Sequence, residues 1–126
     1  MSTLKTPLQQ VRGMGASHSG TGHFWRQRVT AAALVPLSLW FAYVAIGLAG
    51  TTEVSALVFL AQPWNAILMA AFVVIALYHA ALGLQVVIDD YVHAAGAKIA
   101  LFLLVRFAVI ATGSTCIFAL LRIAAQ

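Results

Sequence analysis

Three apolar runs, each more than twenty residues long, leave this chain few folds: residues 29–50, 66–88 and 98–121. About 20 apolar residues wound at 1.5 Å per residue cross the roughly 30 Å of hydrocarbon in a bilayer. Composition closes the soluble alternatives. The chain of 126 residues is 63% hydrophobic and 8% charged, whereas soluble domains run about 45–50% apolar and about 25% charged. Such a chain cannot cover itself with polar surface in water. Its three acidic residues argue against a soluble catalyst, and scarce charge beside plentiful aromatics argues against a disordered tail. A lone cysteine, Cys116, sits in an apolar run, where it is a packing residue and permits no intrachain disulfide. The expectation is an all-α membrane protein with three transmembrane helices, at about 29–50, 64–89 and 98–122. Together these form one membrane anchor over residues 28–123.

The punctuation between the runs supports that division. Pro36 interrupts the first run, but membrane helices tolerate proline because neighbouring groups satisfy the freed carbonyl. Gly50-Thr51-Thr52-Glu53 breaks the chain, and the apolar stretch 54–61 is too short to span, so it reads as an interfacial turn or a helix extension. Gln62-Pro63-Trp64-Asn65 reads as a helix start, with proline in the first turn and tryptophan at interface level. Asp89-Asp90-Tyr91 closes the second run, and 92–97 is a loop. Residues 1–27 contain Lys5, Arg12 and Arg26 but no apolar core of a secretory signal, and are expected to form an N-terminal arm.

Three crossings place the termini on opposite sides of the membrane. With the N-terminus inside, Lys5, Arg12, Arg26, Arg28 and Lys98 are cytoplasmic, and Arg122 alone is outside. The positive-inside rule therefore gives a cytoplasmic N-terminus and a periplasmic C-terminus. The basic residues are needed at the membrane face, which leaves nucleic-acid binding without support. Internal repeats, zinc-ligand spacing and glycine-rich phosphate loops are absent from the sequence.

Polar groups within the hydrocarbon are where function concentrates. His79 lies ten residues before Asp89, about 15 Å along a helix and so near the midplane. A histidine there needs a partner for its nitrogens. Two readings stand: a hydrogen bond to a neighbouring helix, or axial ligation of haem iron, which takes a neutral imidazole. Gly83, one turn on, either lets a flat macrocycle approach or serves ordinary small-residue packing. Asp90 follows His79 by eleven residues, about 20° off the same helix face. Asp90 and Tyr91 are either a polar stop with an interfacial aromatic, or a carboxylate and a hydroxyl at the mouth of a quinone site. Arg106, about 13 Å into the third helix, needs a partner or a route to water. His18, His23 and His93 read as surface histidines.

The segment His79-Ala80-Ala81-Leu82-Gly83-Leu84-Gln85-Val86-Val87-Ile88-Asp89-Asp90-Tyr91-Val92 closely resembles the second-helix signature of the hydrophobic membrane anchor subunit of succinate dehydrogenase, bacterial type. That signature is a haem-ligating histidine, a glycine four later, then Gln-Val and Asp-Tyr-Val; Gln85-Val86 falls a residue early relative to some members. Arg28-Val29-Thr30-Ala31 is similar to the Arg-x-Thr opening of the family's first helix. The likeness extends over roughly residues 23–123. It implies half of a heterodimeric transmembrane bundle in a bacterial inner membrane, paired with a cytochrome b subunit and docked to an iron–sulfur subunit and a flavoprotein subunit. It also implies one haem b shared between the two membrane subunits, with ubiquinone as substrate. Carried over by residue, His79 is the haem ligand and Tyr91 a quinone hydrogen-bond donor. Asp90 supports the quinone site, and Arg28 sits near a haem propionate or that site. The chain alone is non-catalytic; electrons pass from succinate through the iron–sulfur subunit to quinone.

Three alternatives remain at this point: the anchor of a fumarate reductase, a small transporter subunit in which His79 and Arg106 line a path, and a structural membrane subunit whose His79 is only hydrogen-bonded. The transporter reading lacks the discontinuous helix pair or inverted repeat such proteins carry. A reduced-minus-oxidised optical spectrum separates a haem-bearing anchor from the other two classes.

Overall fold

A computed structural model of the chain describes residue 8 and residues 18–125. Among residues 18–125 four helices follow one another: α1 (His18–Leu48), α2 (Glu53–Ala61), α3 (Pro63–Tyr91) and α4 (Ala95–Ala124). No strand occurs among the described residues. α1, α3 and α4 are long and apolar enough to cross a membrane. At 31, 29 and 30 residues, each is about 43–46 Å long, more than the roughly 30 Å of hydrocarbon. The fold class is therefore as the apolar runs imply.

Helix boundaries depart from the sequence expectation in one informative place. α1 begins at His18, so residues 18–27 continue the first membrane helix and no break separates an arm at residue 27. The apolar run measures the stretch that meets lipid. A helix once formed adds a backbone hydrogen bond with each further residue and so continues into polar sequence. The remainder of the expected arm, apart from residue 8, lies outside the described residues. The stretch after the first span forms a separate nine-residue helix, α2. Gly50 takes φ +82°, a left-handed conformation suited to glycine, and the Thr52 side chain caps α2 by accepting from the Ser55 amide at 3.3 Å. Pro63 opens α3 at its first position, where its missing N–H has no intrahelical partner to lose. Asn65 Nδ2 donates to the Phe59 carbonyl at 2.9 Å, tying the end of α2 to the start of α3.

α3 is the central element. α1 and α4 each pack along it, and share no comparable contact with each other. Both pairings are antiparallel. Thr30 meets His79 and Phe41 stacks on Phe72, ring centroids 4.6 Å apart; Lys98 meets Asp89 and Gly113 lies against Leu77. The start of α1, the end of α3 and the start of α4 thus share one end of the bundle, here called the basic end. Two hydroxyls within the spans bond to their own helices, Ser38 to the Leu34 carbonyl and Thr115 to that of Ala111 at 2.8 Å. Only Val44, Leu82 and Ile88 are buried among the described residues. The helices are apolar over most of their circumference and cover little of one another, as expected of segments solvated by lipid or by other helices.

Candidate functional site

Three residues on one face of α1, His23, Gln27 and Thr30, are spaced by four and three and are half-buried; Gln27 lies near Gly83 of α3, and Thr30 meets His79. Opposite them α3 presents His79 and Gly83. His79 is half-buried, and its Nδ1 lies 2.8 Å from Thr30 Oγ1. The Thr30 hydroxyl also reaches the Arg26 carbonyl at 2.8 Å and the Gln27 carbonyl at 3.1 Å. A threonine hydroxyl has one proton and two lone pairs. With that proton given back to the α1 carbonyls, the oxygen accepts from His79, which places the imidazole proton on Nδ1. Nε2 then carries the free lone pair. A neutral imidazole fixed in this tautomer by a partner on the other nitrogen is the form that coordinates a metal.

Gly83 faces the same seam. A Cβ at Gly83 would lie 3.8 Å from Gln27 Nε2, an ordinary contact, so nothing within this chain requires glycine there. His23 departs from expectation. It is half-buried rather than a surface residue. Its Nε2 and the Oε1 of Gln27 are shielded without a hydrogen-bond partner among the described residues. The i, i+4, i+7 spacing of His23, Gln27 and Thr30, leading into the first apolar run, was the available signal, and it marks a polar seam continuing the helix. His93 is exposed, as expected.

The remaining residues singled out from the sequence sit at the basic end. Arg28 is exposed on α1, with its guanidinium 4.9 Å from the centroid of the Phe24 ring, a cation–π contact directed back toward the helix start. Asp90 is exposed and makes no ion pair among the described residues. Asp89 instead holds Lys98, Oδ1 to Nζ 3.0 Å, and thereby pins the end of α3 to the start of α4. Tyr91, the last residue of α3, is 79% exposed. His79 and Thr30 are thus brought together. Arg28, Asp90 and Tyr91 share one end of the bundle without touching His79. Arg106 is exposed on α4 and lines a cleft that also contains Arg26. No group of three or more His, Cys, Asp or Glu side chains converges among the described residues, so His79 offers a single ligand.

The sequence pattern described as the succinate dehydrogenase/fumarate reductase transmembrane subunit matches residues 2–113. A succinate dehydrogenase hydrophobic membrane anchor subunit from Paracoccus denitrificans is 33% identical over 102 residues, covering 81% of this chain and 79% of that protein. Its counterpart from Rickettsia bellii is 36% identical over 90 residues, 71% of each chain. A succinate dehydrogenase membrane anchor subunit from Reclinomonas americana is 33% identical over 91 residues, 70% of this chain and 76% of that one. No solved structure matches the chain.

Proposed function

The chain belongs to the succinate dehydrogenase/fumarate reductase transmembrane subunit family, and from this premise we propose that it is one half of a haem-bearing, quinone-reducing membrane anchor. In this reading the chain sits in a bacterial inner membrane with its N-terminus cytoplasmic. It pairs with a cytochrome b membrane subunit and holds an iron–sulfur subunit and its flavoprotein at the basic end. Like-named relatives in bacteria support the setting.

The observation that carries the proposal is the Thr30–His79 hydrogen bond. It leaves Nε2 as the coordinating atom for haem b, and a protein with one such histidine shares the iron with a ligand from the second membrane subunit. Haem b, when bound, supplies a one-electron store near the electron path. This chain's residues do the rest by position. Thr30 orients the ring and fixes its tautomer. Tyr91 and Asp90 project from the end of α3 with their polar groups free, the hydroxyl able to donate to a ubiquinone carbonyl and the carboxylate able to accept from a basic group beside it. Arg28 adds positive charge at the same end, favourable to a reduced quinone or to a propionate.

Replacing His79 by leucine in the assembled complex tests the ligand assignment. The expected result is loss or conversion of the low-spin b-type spectrum in the reduced-minus-oxidised difference. An unchanged low-spin spectrum overturns the assignment and favours the second reading the same hydrogen bond supports, in which His79 only clamps α3 to α1. Tyr91→Phe tests the quinone role. It deletes one hydroxyl and keeps the ring. Loss of a hydrogen bond of about 0.5–1.5 kcal/mol predicts a several-fold fall in succinate–quinone activity with artificial-acceptor activity unchanged. A parent rate with quinone leaves Tyr91 as an interfacial aromatic.

A further inference from the structure

Arg106 and Arg26 share a cleft that the proposed electron path does not use. It opens between α1 and α4 over α3, with a volume of about 310 Å³. Its polar lining is Arg26, Arg106, Gln85 and Tyr78, set against Leu82 and Phe102. Two guanidiniums, each permanently charged, line one cleft that is otherwise largely apolar.

No carboxylate of this chain can balance them. The sequence has three acidic residues, and all three are among the described residues: Glu53, Asp89 and Asp90. Asp89 is engaged by Lys98. Glu53 begins α2, at the opposite end of the bundle. Asp90 makes no ion pair among the described residues, with these arginines or with any other cation. Arg26 spends one donor, Nε, on the Gly22 carbonyl at 3.1 Å, and a guanidinium has five.

Depth narrows what the missing anion is. The Lys98–Asp89 pair sets a level near the membrane surface. Arg106 is eight residues beyond Lys98, about 12 Å further in. His79 is ten residues before Asp89, about 15 Å in, and Thr30 is level with it through their hydrogen bond. Arg26 precedes Thr30 by four residues, and its guanidinium reaches back a further turn to Gly22, which places the charge about 3 Å in, just inside the Lys98–Asp89 level. A lipid phosphate belongs at or outside the Lys98–Asp89 level. We infer that the cleft binds a carboxylate carried into the membrane by a group outside this chain, held between Arg26 and Arg106 with Gln85 as a further donor. Two sources carry that chemistry: a haem propionate, or an acidic side chain of a neighbouring membrane subunit. The first source rests on the haem reading; the charge and depth argument does not.

The test uses the assembled complex with Arg106→Gln, Arg106→Lys and Arg26→Gln. Each is followed by native-gel assembly, difference spectrum, haem redox titration and mass spectrometry of co-purified phospholipid. A propionate source predicts that both glutamine variants keep the low-spin spectrum while haem becomes harder to reduce. Removing a positive charge disfavours the reduced state, here by about tenfold, or 59 mV for one electron, and Arg106→Lys restores most of it. A subunit carboxylate predicts unchanged haem potential and several-fold greater subunit loss in detergent, again with recovery in Arg106→Lys. Unchanged potential and unchanged assembly in both glutamine variants overturn the site. Loss of anionic phospholipid alone also overturns it, by assigning the arginines to a lipid phosphate. Failed assembly that Arg106→Lys does not restore overturns it as well. A complex without b-type haem removes the haem reading and the propionate source, and the assembly arm then decides on the carboxylate site.

Discussion

The seam between α1 and α3 contains His23, Gln27, Thr30 and His79, whereas the seam between α3 and α4 brings Leu77 against Gly113 and leaves its polar contact, Lys98–Asp89, at the end. Both seams join antiparallel helices of nearly equal length, yet they rely on different forces. Helix association in lipid draws on close packing, which small residues favour, and on interhelical hydrogen bonds. The α3–α4 seam uses the first and the α1–α3 seam the second. Packing against glycine tolerates little added volume but asks for no particular side-chain chemistry. A hydrogen bond fixes an orientation, and the ring so oriented is the one that has a free nitrogen to offer. The chemistry-bearing residue is therefore on the seam that specifies direction.

Substitutions that exchange these properties can break the contrast. The largest effect is expected from Gly113→Leu. A Cβ at Gly113 already lies 3.4 Å from Leu77 Cδ1, and a full leucine side chain overfills the seam by about 1–3 kcal/mol. The expected result is markedly lower resistance of the assembled complex to dissociation by dodecyl sulfate; parental resistance would show that α4 does not depend on close approach. Thr30→Val follows. It keeps the shape of the side chain and removes the acceptor for His79 Nδ1, at about 1 kcal/mol. The expected readout is a haem with altered potential or line shape at near-normal assembly. A spectrum identical to the parent would mean that Thr30 does not set the ring. Lys98→Ala is smallest. The pair is 32% and 48% exposed on its two sides, and exposed pairs contribute about 0–1 kcal/mol, so assembly and activity should stay near parental values. A large loss would show that the Lys98–Asp89 pair is covered by another subunit.

The sequence made the three spans legible because an apolar run long enough to cross lipid has few other uses. It did not show where helices end, since Thr21, His23, Arg26 and Gln27 precede the first apolar run and are still helical. His79 stood out by depth alone. Its partner did not, because pairing Thr30 with a residue 49 positions away requires the α1–α3 register. Arg26 and Arg106 were each visible as charges, but their common cleft depends on α1 and α4 flanking the same face of α3. Gly83 carries a different lesson. The absence of a side chain there is not demanded by α1, so any pressure on that position comes from outside the chain.

Three residues, Val92, His93 and Ala94, separate α3 from α4. A link this short makes an αα-hairpin, whose partners meet as soon as both have been synthesised. α1, by contrast, finds α3 only across the intervening chain and α2. In the finished bundle Arg106 lines one cleft with Gln85 and Tyr78 of that hairpin, and the pairing that orients the imidazole is the one that depends on the longer connection through α2.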